Sequence, residues 1–241
     1  MLGDAKTNEN MAMAEGTLAH EIAEQKLRGA YEEVKSSTVK SRITKAKKNA
    51  VWEGEPLYKG EMEECTDEYV SYIGGIYNQL RNPKIWIEKR VSMTPLSPDM
   101  FGTCDCAILS EEVLHVIDYK HGRGVAVDVT DNPQAKLYAY GVLCDPSVRM
   151  LYNPQRIVLH IVQPRNGGTN SWDLPTDQLL SWIDRRSSPL WTVSFPADWP
   201  TNGTPESIAD FVPIWAAVRR PTTKAPGKTP ESLRNTRTPP C

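Results

Sequence analysis

The stretch FGTCDCAILSEEVLHVIDYK, residues 101–120, predicts two antiparallel strands joined by a tight turn. The first strand runs from about Thr103 to Leu109, and the second from about Val113 to Lys120. Short apolar runs separated by polar turn residues are typical of a β-hairpin. We therefore place a hairpin at the centre of the fold.

The turn determines which residues of the hairpin face each other. If residues 111–112 form a two-residue turn, Ser110 pairs with Val113, and counting outward places Asp105 opposite Asp118. Opposed residues of an antiparallel pair have Cβ atoms about 4.5–5.5 Å apart. Two carboxylates at that distance repel each other unless a proton or a cation lies between them. An oxygen-seeking divalent ion such as Mg²⁺ is the natural partner.

Strand alternation adds a lysine to this pair of acids. Lys120 shares a face with Asp118, whereas His115 and Tyr119 point the other way, which argues against His115 as a ligand. Charged side chains on an otherwise apolar face are costly without a partner. The acid-x-lysine tripeptide occurs elsewhere in the chain, but only this copy follows a strand-like apolar run. The context therefore selects Asp118 and Lys120.

The rest of the chain predicts an α/β (α+β) domain. Helical spacing of apolar residues indicates helices beginning near Thr17, spanning about 61–80, and spanning about 134–143. Strands are expected at residues 85–93, 125–127 (a short edge strand) and 156–162, with Ile85, Ile87, Val91 and Met93 on one face of the first. This order of elements favours a central mixed β-sheet flanked by helices.

Three residues on the predicted helices carry no clear signal on their own. His20 falls at the edge of the apolar arc of the first helix, so the pattern alone favours a partly buried, hydrogen-bonded histidine. Gln134 and Tyr138 are spaced i, i+4 and share a helix face. Taken alone, this pair indicates ordinary packing of a core tyrosine and a surface glutamine.

Composition indicates a globular protein without an extreme charge. The 241 residues are 39% hydrophobic with a net charge of −2, which gives no global sign of nucleic-acid binding. Residues 26–48 are rich in lysine and arginine, which usually means a solvated face but also suits a phosphate-contacting surface. No apolar run reaches the ~18 residues of a membrane helix. With no signal-peptide core and no disulfide-like cysteine pattern, we expect an intracellular, reducing setting.

We expect three regions along the chain. Residues 1–14 lack periodicity and are expected to be a flexible N-terminus, and residues 15–185 form the folded domain. Residues 186–241 are irregular and proline-rich, which indicates a disordered or aberrant segment.

Four motifs in series resemble those of the PD-(D/E)XK nuclease superfamily, specifically its RecB-like branch. That branch includes the CRISPR-associated exonucleases and many phage proteins. The resemblance covers roughly residues 15–185, is closest to an uncharacterised, mostly phage-encoded family, and implies a restriction-endonuclease-like core. The matching residues are His20 on the early helix, Gly102-x-x-Asp105, Asp118-Tyr119-Lys120 and Gln134-x-x-x-Tyr138.

The resemblance implies a role for each motif residue. A Mg²⁺ or Mn²⁺ ion would be held by His20, Asp105, Asp118 and the main-chain carbonyl of Tyr119. Lys120 would orient the attacking water and offset charge in the transition state. Gln134 and Tyr138 would position the site and the nucleic-acid strand. Glu88 is left open between an auxiliary acid and a solvated strand residue.

The implied function is a metal-dependent deoxyribonuclease, a hydrolase of phosphodiester bonds. The resemblance implies an exonuclease acting on DNA ends, in the cytoplasm of a bacterial host, with phage recombination or replication proteins as partners. A non-catalytic DNA-binding protein that keeps the fold, with its affinity supplied by residues 26–48, is the alternative. A third hypothesis is a structural or interaction protein without a nucleic-acid role.

The sequence departs from the resemblance in its cysteines. Many RecB-like proteins hold an iron–sulfur cluster with one cysteine before the histidine helix and three near the C-terminus. Here no cysteine precedes His20 and the C-terminal part has only Cys241, so no cluster is expected. In another reading frame, residues 210–221 are codon-compatible with a cysteine-bearing segment, which raises the hypothesis of a frameshift beyond about residue 185.

Overall fold

A five-stranded sheet forms the centre of the chain. The computed structural model describes residues 2–94, 96–97 and 99–187. In chain order the elements are α1 (Leu2–Tyr31), α2 (Ser36–Asn49), β1 (Val51–Trp52), β2 (Glu55–Pro56), α3 (Gly60–Gln79), β3 (Lys84–Ser92), β4 (Phe101–Leu109), β5 (Val113–Tyr119), α4 (Pro133–Cys144), α5 (Pro146–Leu151), β6 (Arg156–Gln163), β7 (Gly168–Pro175) and α6 (Thr176–Ser187).

The sheet is mixed. Its strands lie in the order β3-β4-β5-β6-β7; β5 and β6 are parallel, and the other neighbours are antiparallel. The parallel pair is connected through α4 and α5, since parallel neighbours need a crossover. Both strands of that pair are buried almost throughout, as expected where helices cover both faces. The predicted α/β class, with a mixed sheet flanked by helices, is confirmed.

Each face of the sheet has its own core. Residues of α1 and α3 pack on one face against Ile117 and Tyr119 of β5. Residues of α4 and α6 pack on the other face against Leu114 and Val116. Odd and even positions of β5 thus point to opposite cores, as strand alternation predicts.

The hairpin register is the one that the turn predicts. Leu109 pairs with Leu114, and Cys106 pairs with Ile117. A further backbone hydrogen bond of 3.0 Å joins Ser110 N–H to the carbonyl of Val113. The predicted two-residue turn is therefore confirmed, while the expected Asp105–Asp118 pair falls one step beyond the last pair of the ladder.

Beyond this point β4 and β5 separate. The ladder between them ends at Cys106–Ile117. β4 nevertheless continues beside β3 to Phe101, and β5 continues beside β6 to Tyr119. Because each strand keeps its outer partner while the inner ladder stops, the sheet divides. We call this opening the fork.

Strand β3 does not keep one face throughout its length. Ile87 packs into the core of α1 and α3, whereas Val91 and Met93 pack into the core of α4. The change occurs at Glu88, whose φ is +48°, outside the extended region of a regular strand. The prediction that Ile87 and Val91 share a face is therefore wrong, because a single left-handed residue interrupts the alternation.

Two further predictions are wrong for local reasons. α1 begins at Leu2 and not near Thr17, so it includes most of the segment expected to be flexible; alanine, lysine and glutamate favour helix even without an apolar stripe. Residues 125–127 form no strand. There the Gln163 side chain binds the Val127 N–H at 3.0 Å and the Val125 carbonyl at 3.3 Å, in place of a partner strand.

A close approach fixes α4 on the sheet. A Cβ added at Gly141 would lie 2.8 Å from the Val91 Cβ, nearer than side-chain atoms tolerate. At the other end of α4 the Asn132 side chain accepts a hydrogen bond of 3.1 Å from the Ala135 N–H, an N-cap. These two contacts fix where α4 lies on the sheet and where it begins, and they thereby fix the positions of Gln134 and Tyr138.

Among the helices of the described region, none is both long and apolar enough to cross a bilayer. The expectation for the C-terminal segment concerns residues that, from 188 onward, lie outside the described part of the chain.

Candidate metal centre

Asp105 and Asp118 lie at the base of the fork, one on each branch. The Tyr119 N–H donates a hydrogen bond of 2.8 Å to Asp105 Oδ2, which ties the branches together where the ladder has ended. Asp118 is 6% exposed, and its Oδ2 lies 3.0 Å from Lys120 Nζ. The structure therefore brings the two acids and the lysine to one place.

Helix α1 carries His20 to the same place. Leu18 and Ile22 of α1 are buried in the core that this helix shares with α3 and the sheet. His20 Nδ1 lies 3.6 Å from Asp105 Oδ2. The His20 ring meets the Tyr119 ring edge-on, with centroids 5.2 Å apart. His20 is partly buried, as the helix pattern indicates, and a carboxylate is its neighbour.

Glu88 is a third acid of the centre. One ligand atom from each of His20, Glu88 and Asp105 lies within 4.8 Å of the others. The left-handed backbone at Glu88 is the point where β3 changes faces. A non-glycine residue in this region costs on the order of 1 kcal/mol and persists where its surroundings hold it. The distortion that breaks the strand pattern thus coincides with a carboxylate at the centre.

Negative charge is concentrated in this buried place. The pKa of Glu88 is raised to about 9, first by burial and then by the charge of Asp105. The pKa of Asp105 is also raised: burial is the largest cause and Asp118 adds to it, while His20 and Lys120 oppose it. Neighbouring carboxylates retain a proton unless a cation takes its place. The centre is therefore short of positive charge.

The donor set fits a hard divalent cation. Asp118 Oδ2 is buried and, within the described residues, accepts no hydrogen bond; the Lys120 ammonium is its close contact. Carboxylates with one imidazole suit Mg²⁺ or Mn²⁺. Cys104 and Cys106 flank Asp105 in sequence, but burial raises the pKa of both thiols well above the usual range. They are therefore poor candidates for thiolate ligands.

Tyr119 offers main-chain atoms to the centre. Its N–H faces Asp105, whereas the next N–H, that of Lys120, donates to the Val162 carbonyl at 2.8 Å. In an extended strand the N–H and C=O of one residue point to the same side. The Tyr119 carbonyl therefore faces the fork, while its ring packs on Tyr69 with centroids 4.8 Å apart.

Gln134 and Tyr138 meet on the α4 side. Gln134 Nε2 donates a hydrogen bond of 3.2 Å to the Tyr138 hydroxyl oxygen. Burial raises the pKa of Tyr138 strongly, and the charges of Asp118 and Asp105 raise it further. Tyr138 is a core residue, as the helix spacing alone predicts.

Sequence reasoning missed a second charged group behind the centre. Glu15 on α1 accepts a hydrogen bond of 2.8 Å from Arg165 Nη1 and lies 3.6 Å from His121 Nε2. His121 Nδ1 is 2.9 Å from the Tyr119 hydroxyl oxygen. Burial, and then the Arg165 charge, lower the pKa of His121 to about 4, so it is neutral at neutral pH. No local pattern reveals this group, because its members come from distant parts of the chain.

His115 lies outside the centre. Its Nδ1 is 2.9 Å from His160 Nε2, and the Tyr72 hydroxyl is 2.8 Å from His160 Nδ1. Burial lowers the pKa of His115 to about 4 and that of His160 to about 3. The structure thus agrees with the strand argument against His115 as a ligand.

The basic residues of 26–48 differ in their partners. Lys26 and Lys47 are ion-paired with acids of α3, and Arg28 is ion-paired with Glu24 and Glu32. Lys40, Lys45 and Lys48 are exposed on α2, a helix without acidic residues, and they form no ion pair with the residues that the structure describes. The outer face of α2 is therefore basic and open to solvent.

A protein-family model described as "Protein of unknown function (DUF2800)" matches residues 3–203 of the chain. A solved structure titled "Crystal structure of SSO0001" is similar over 85% of this chain and 98% of that chain, with 11% sequence identity and a TM-score of 0.25. That score is too low to support a conclusion about fold or function.

Proposed function

The chain belongs to the family described as proteins of unknown function (DUF2800), and from its own residues we propose that it is a metal-dependent DNA nuclease. The proposed type is the PD-(D/E)XK nuclease of the RecB-like branch. The proposed reaction is hydrolysis of a phosphodiester bond, at the ends of DNA in phage recombination or replication.

One observation carries the proposal. Four acid or histidine side chains from α1 and three strands, and the lysine directly after β5, converge where the sheet opens. The carboxylates are buried together, and burial, followed by the charge of Asp105, raises the pKa of Glu88 to about 9. Such an arrangement costs stability and is favoured where a cation and a phosphate are to be bound.

The chain's own residues have distinct tasks. His20, Asp105, Asp118 and the Tyr119 carbonyl would hold the ion, with Glu88 as a further acid. When bound, Mg²⁺ or Mn²⁺ supplies polarisation of the phosphate and a lowered pKa for water. The Lys120 ammonium, held beside Asp118, offsets the negative charge that develops on the phosphate and orients the nucleophile.

Tyr138 and Gln134 would act on the opposite wall. The Tyr138 hydroxyl stays protonated because its pKa is raised, so it can donate a hydrogen bond to a phosphate oxygen. Gln134 fixes the orientation of that hydroxyl through its own hydrogen bond. Both are positioning groups in this proposal.

DNA degradation with and without divalent metal tests the proposal. We expect the wild-type protein to degrade linear DNA with Mg²⁺ or Mn²⁺ and to lose this activity in Lys120→Ala. Lys26→Ala is the matched control, because Lys26 is also a largely buried, ion-paired lysine but lies between α1 and α3. Activity that survives in Lys120→Ala and Asp118→Ala would remove these residues from the mechanism. Circular DNA separates end-dependent from internal cleavage.

The basic face of α2 favours a second candidate, a non-catalytic DNA-binding protein. Lys40, Lys45 and Lys48 are exposed together, and such a surface gives salt-dependent, metal-independent binding. DNA binding by the wild type without any cleavage in Mg²⁺ or Mn²⁺ would favour this candidate over the nuclease.

A further inference from the structure

Arg90 and Phe101 form an exposed cation–aromatic pair near the metal centre. The Arg90 guanidinium carbon lies 3.9 Å from the centroid of the Phe101 ring. Arg90 is exposed and Phe101 is half-buried. In the described part of the chain the guanidinium has no ion-pair partner, so its donors are open to a ligand.

The pair stands on the β3–β4 branch of the fork. Arg90 is paired with Thr103 in the ladder. Glu88 precedes Arg90 by two residues in β3, and Asp105 follows Thr103 by two residues in β4. Two residues of a strand span about 7 Å, so the guanidinium is within reach of a group adjoining the one bound at the centre.

Arg90 also faces the side from which His20 approaches. Its neighbour Val91 packs into the core of α4, and strand alternation turns Arg90 to the other face. That face is the one that α1 covers. His20 and the Arg90 guanidinium therefore lie on the same side of β3.

A nearby arginine shows the contrast. Arg28 on α1 also reaches β3, where its Nη2 lies 3.4 Å from the Ile87 carbonyl. Glu24 and Glu32 hold Arg28 at 2.7 Å and 2.6 Å. The Arg28 charge is therefore neutralised within the protein, whereas the Arg90 guanidinium stacks on Phe101 and is exposed to solvent.

We propose that Arg90 binds the phosphate next to the scissile one in a nucleic-acid strand, with Phe101 holding the guanidinium in position. A planar guanidinium matches the geometry of phosphate oxygens, and a stacked arginine loses less side-chain freedom on binding. This inference rests on the proposed function, because it names the strand contact of that same site.

Binding of a labelled single-stranded oligonucleotide tests the inference, with Ca²⁺ replacing Mg²⁺ and fluorescence anisotropy as the readout. Arg90→Ala should weaken binding about tenfold and lower the salt slope by about 0.7, the share of one phosphate contact. Arg90→Lys should keep the slope but lose part of the affinity. Phe101→Leu should likewise weaken binding at an unchanged slope.

Lys84→Ala is the matched control. Lys84 lies 5.4 Å from the Trp86 ring centroid, so it is a similar exposed pair on the same strand, at the end remote from the fork. It should leave affinity and slope unchanged. Thermal melting of each variant separates loss of contact from loss of fold.

Several outcomes overturn the inference. One is that the wild type does not bind the oligonucleotide. The others are that Arg90→Ala keeps the wild-type affinity and salt slope, or that Lys84→Ala loses as much affinity as Arg90→Ala. A parallel digestion with Mg²⁺ keeps the two proposals apart. Lys120-dependent cleavage with unchanged binding by Arg90→Ala overturns this inference alone. Arg90-dependent binding without any cleavage overturns the nuclease, and with it the scissile phosphate, while Arg90 remains a phosphate contact of a bound strand.

Discussion

The Tyr119 N–H and Asp105 Oδ2 are joined by a 2.8 Å hydrogen bond across the fork. This bond lies just beyond the last pair of the β4–β5 ladder. A donated N–H stabilises the ionised carboxylate and so opposes the effect of burial on its pKa. Asp105 is thereby the fixed point around which His20 and Glu88 are arranged.

The stability of the metal-free protein should fall as pH rises from about 5 to about 9. The unfolded chain releases the Glu88 proton near the ordinary pKa of 4.5, whereas the folded chain holds it to about 9. The folded state therefore binds more protons in this window, which lowers the free energy of unfolding by up to about 1.4 kcal/mol per pH unit. Urea unfolding in EDTA across this range measures the slope.

Glu88→Gln supplies the control for that measurement. Its neutral amide does not titrate, so the decline should become shallower. Added Mg²⁺ should raise the melting temperature more at high pH than at low pH, because the ion replaces the proton. A decline as steep in Glu88→Gln as in the wild type would remove Glu88 as its source.

His20→Ala should weaken Mn²⁺ binding at least tenfold, as expected for a lost ligand or an immediate neighbour of one. Isothermal titration calorimetry gives the affinity. Glu21→Ala, an exposed neighbour on the same helix, should leave it unchanged. If His20→Ala instead lowers the melting temperature and keeps the wild-type Mn²⁺ affinity, His20 is a packing residue.

Gly141→Ala should destabilise the protein by about 1–3 kcal/mol, since the added methyl meets the Val91 Cβ at 2.8 Å and overpacks the core. Gly75→Ala is the control: its Cβ would meet nothing within 4 Å, and alanine favours helix, so stability should rise by up to about 1 kcal/mol. Urea unfolding measures both. Equal effects of the two changes would mean that α4 does not rest on Val91.

Glu15→Ala should cost about 3 kcal/mol, because it leaves the buried Arg165 guanidinium without its closest carboxylate. Replacing both residues with methionine should cost less than the single change, since no buried charge then remains. Denaturant unfolding of the three variants tests this. A double variant less stable than Glu15→Ala would show that the charges themselves stabilise α1.

The hairpin could be predicted because its determinants are local. A two-residue turn fixes the register, and strand alternation then fixes the faces of Asp118 and Lys120. The ladder confirms the register, and the separate cores confirm that Leu114 and Val116 alternate with Ile117 and Tyr119. The helix carrying Gln134 and Tyr138 was also predictable, since Asn132 and Pro133 mark its start.

What could not be predicted depends on contacts between distant residues. Nothing in the local pattern of β3 distinguishes Glu88 from any strand acid, because its positive φ is set by the surrounding fold. The loop at 125–127 has strand-like residues, but the Gln163 side chain takes the place of a strand. Only the resemblance predicts His20 as a metal ligand, because the apolar arc of α1 predicts packing and nothing more.

Anomalous scattering from crystals grown with Mn²⁺ tests the central claim most directly. The account predicts one strong peak at the fork, about 2.0–2.3 Å from a carboxylate oxygen of Asp105 and near His20 and Glu88. The peak should be absent in Asp105→Asn. A well-ordered protein that degrades DNA with Mn²⁺ while showing no peak at the fork would contradict the account.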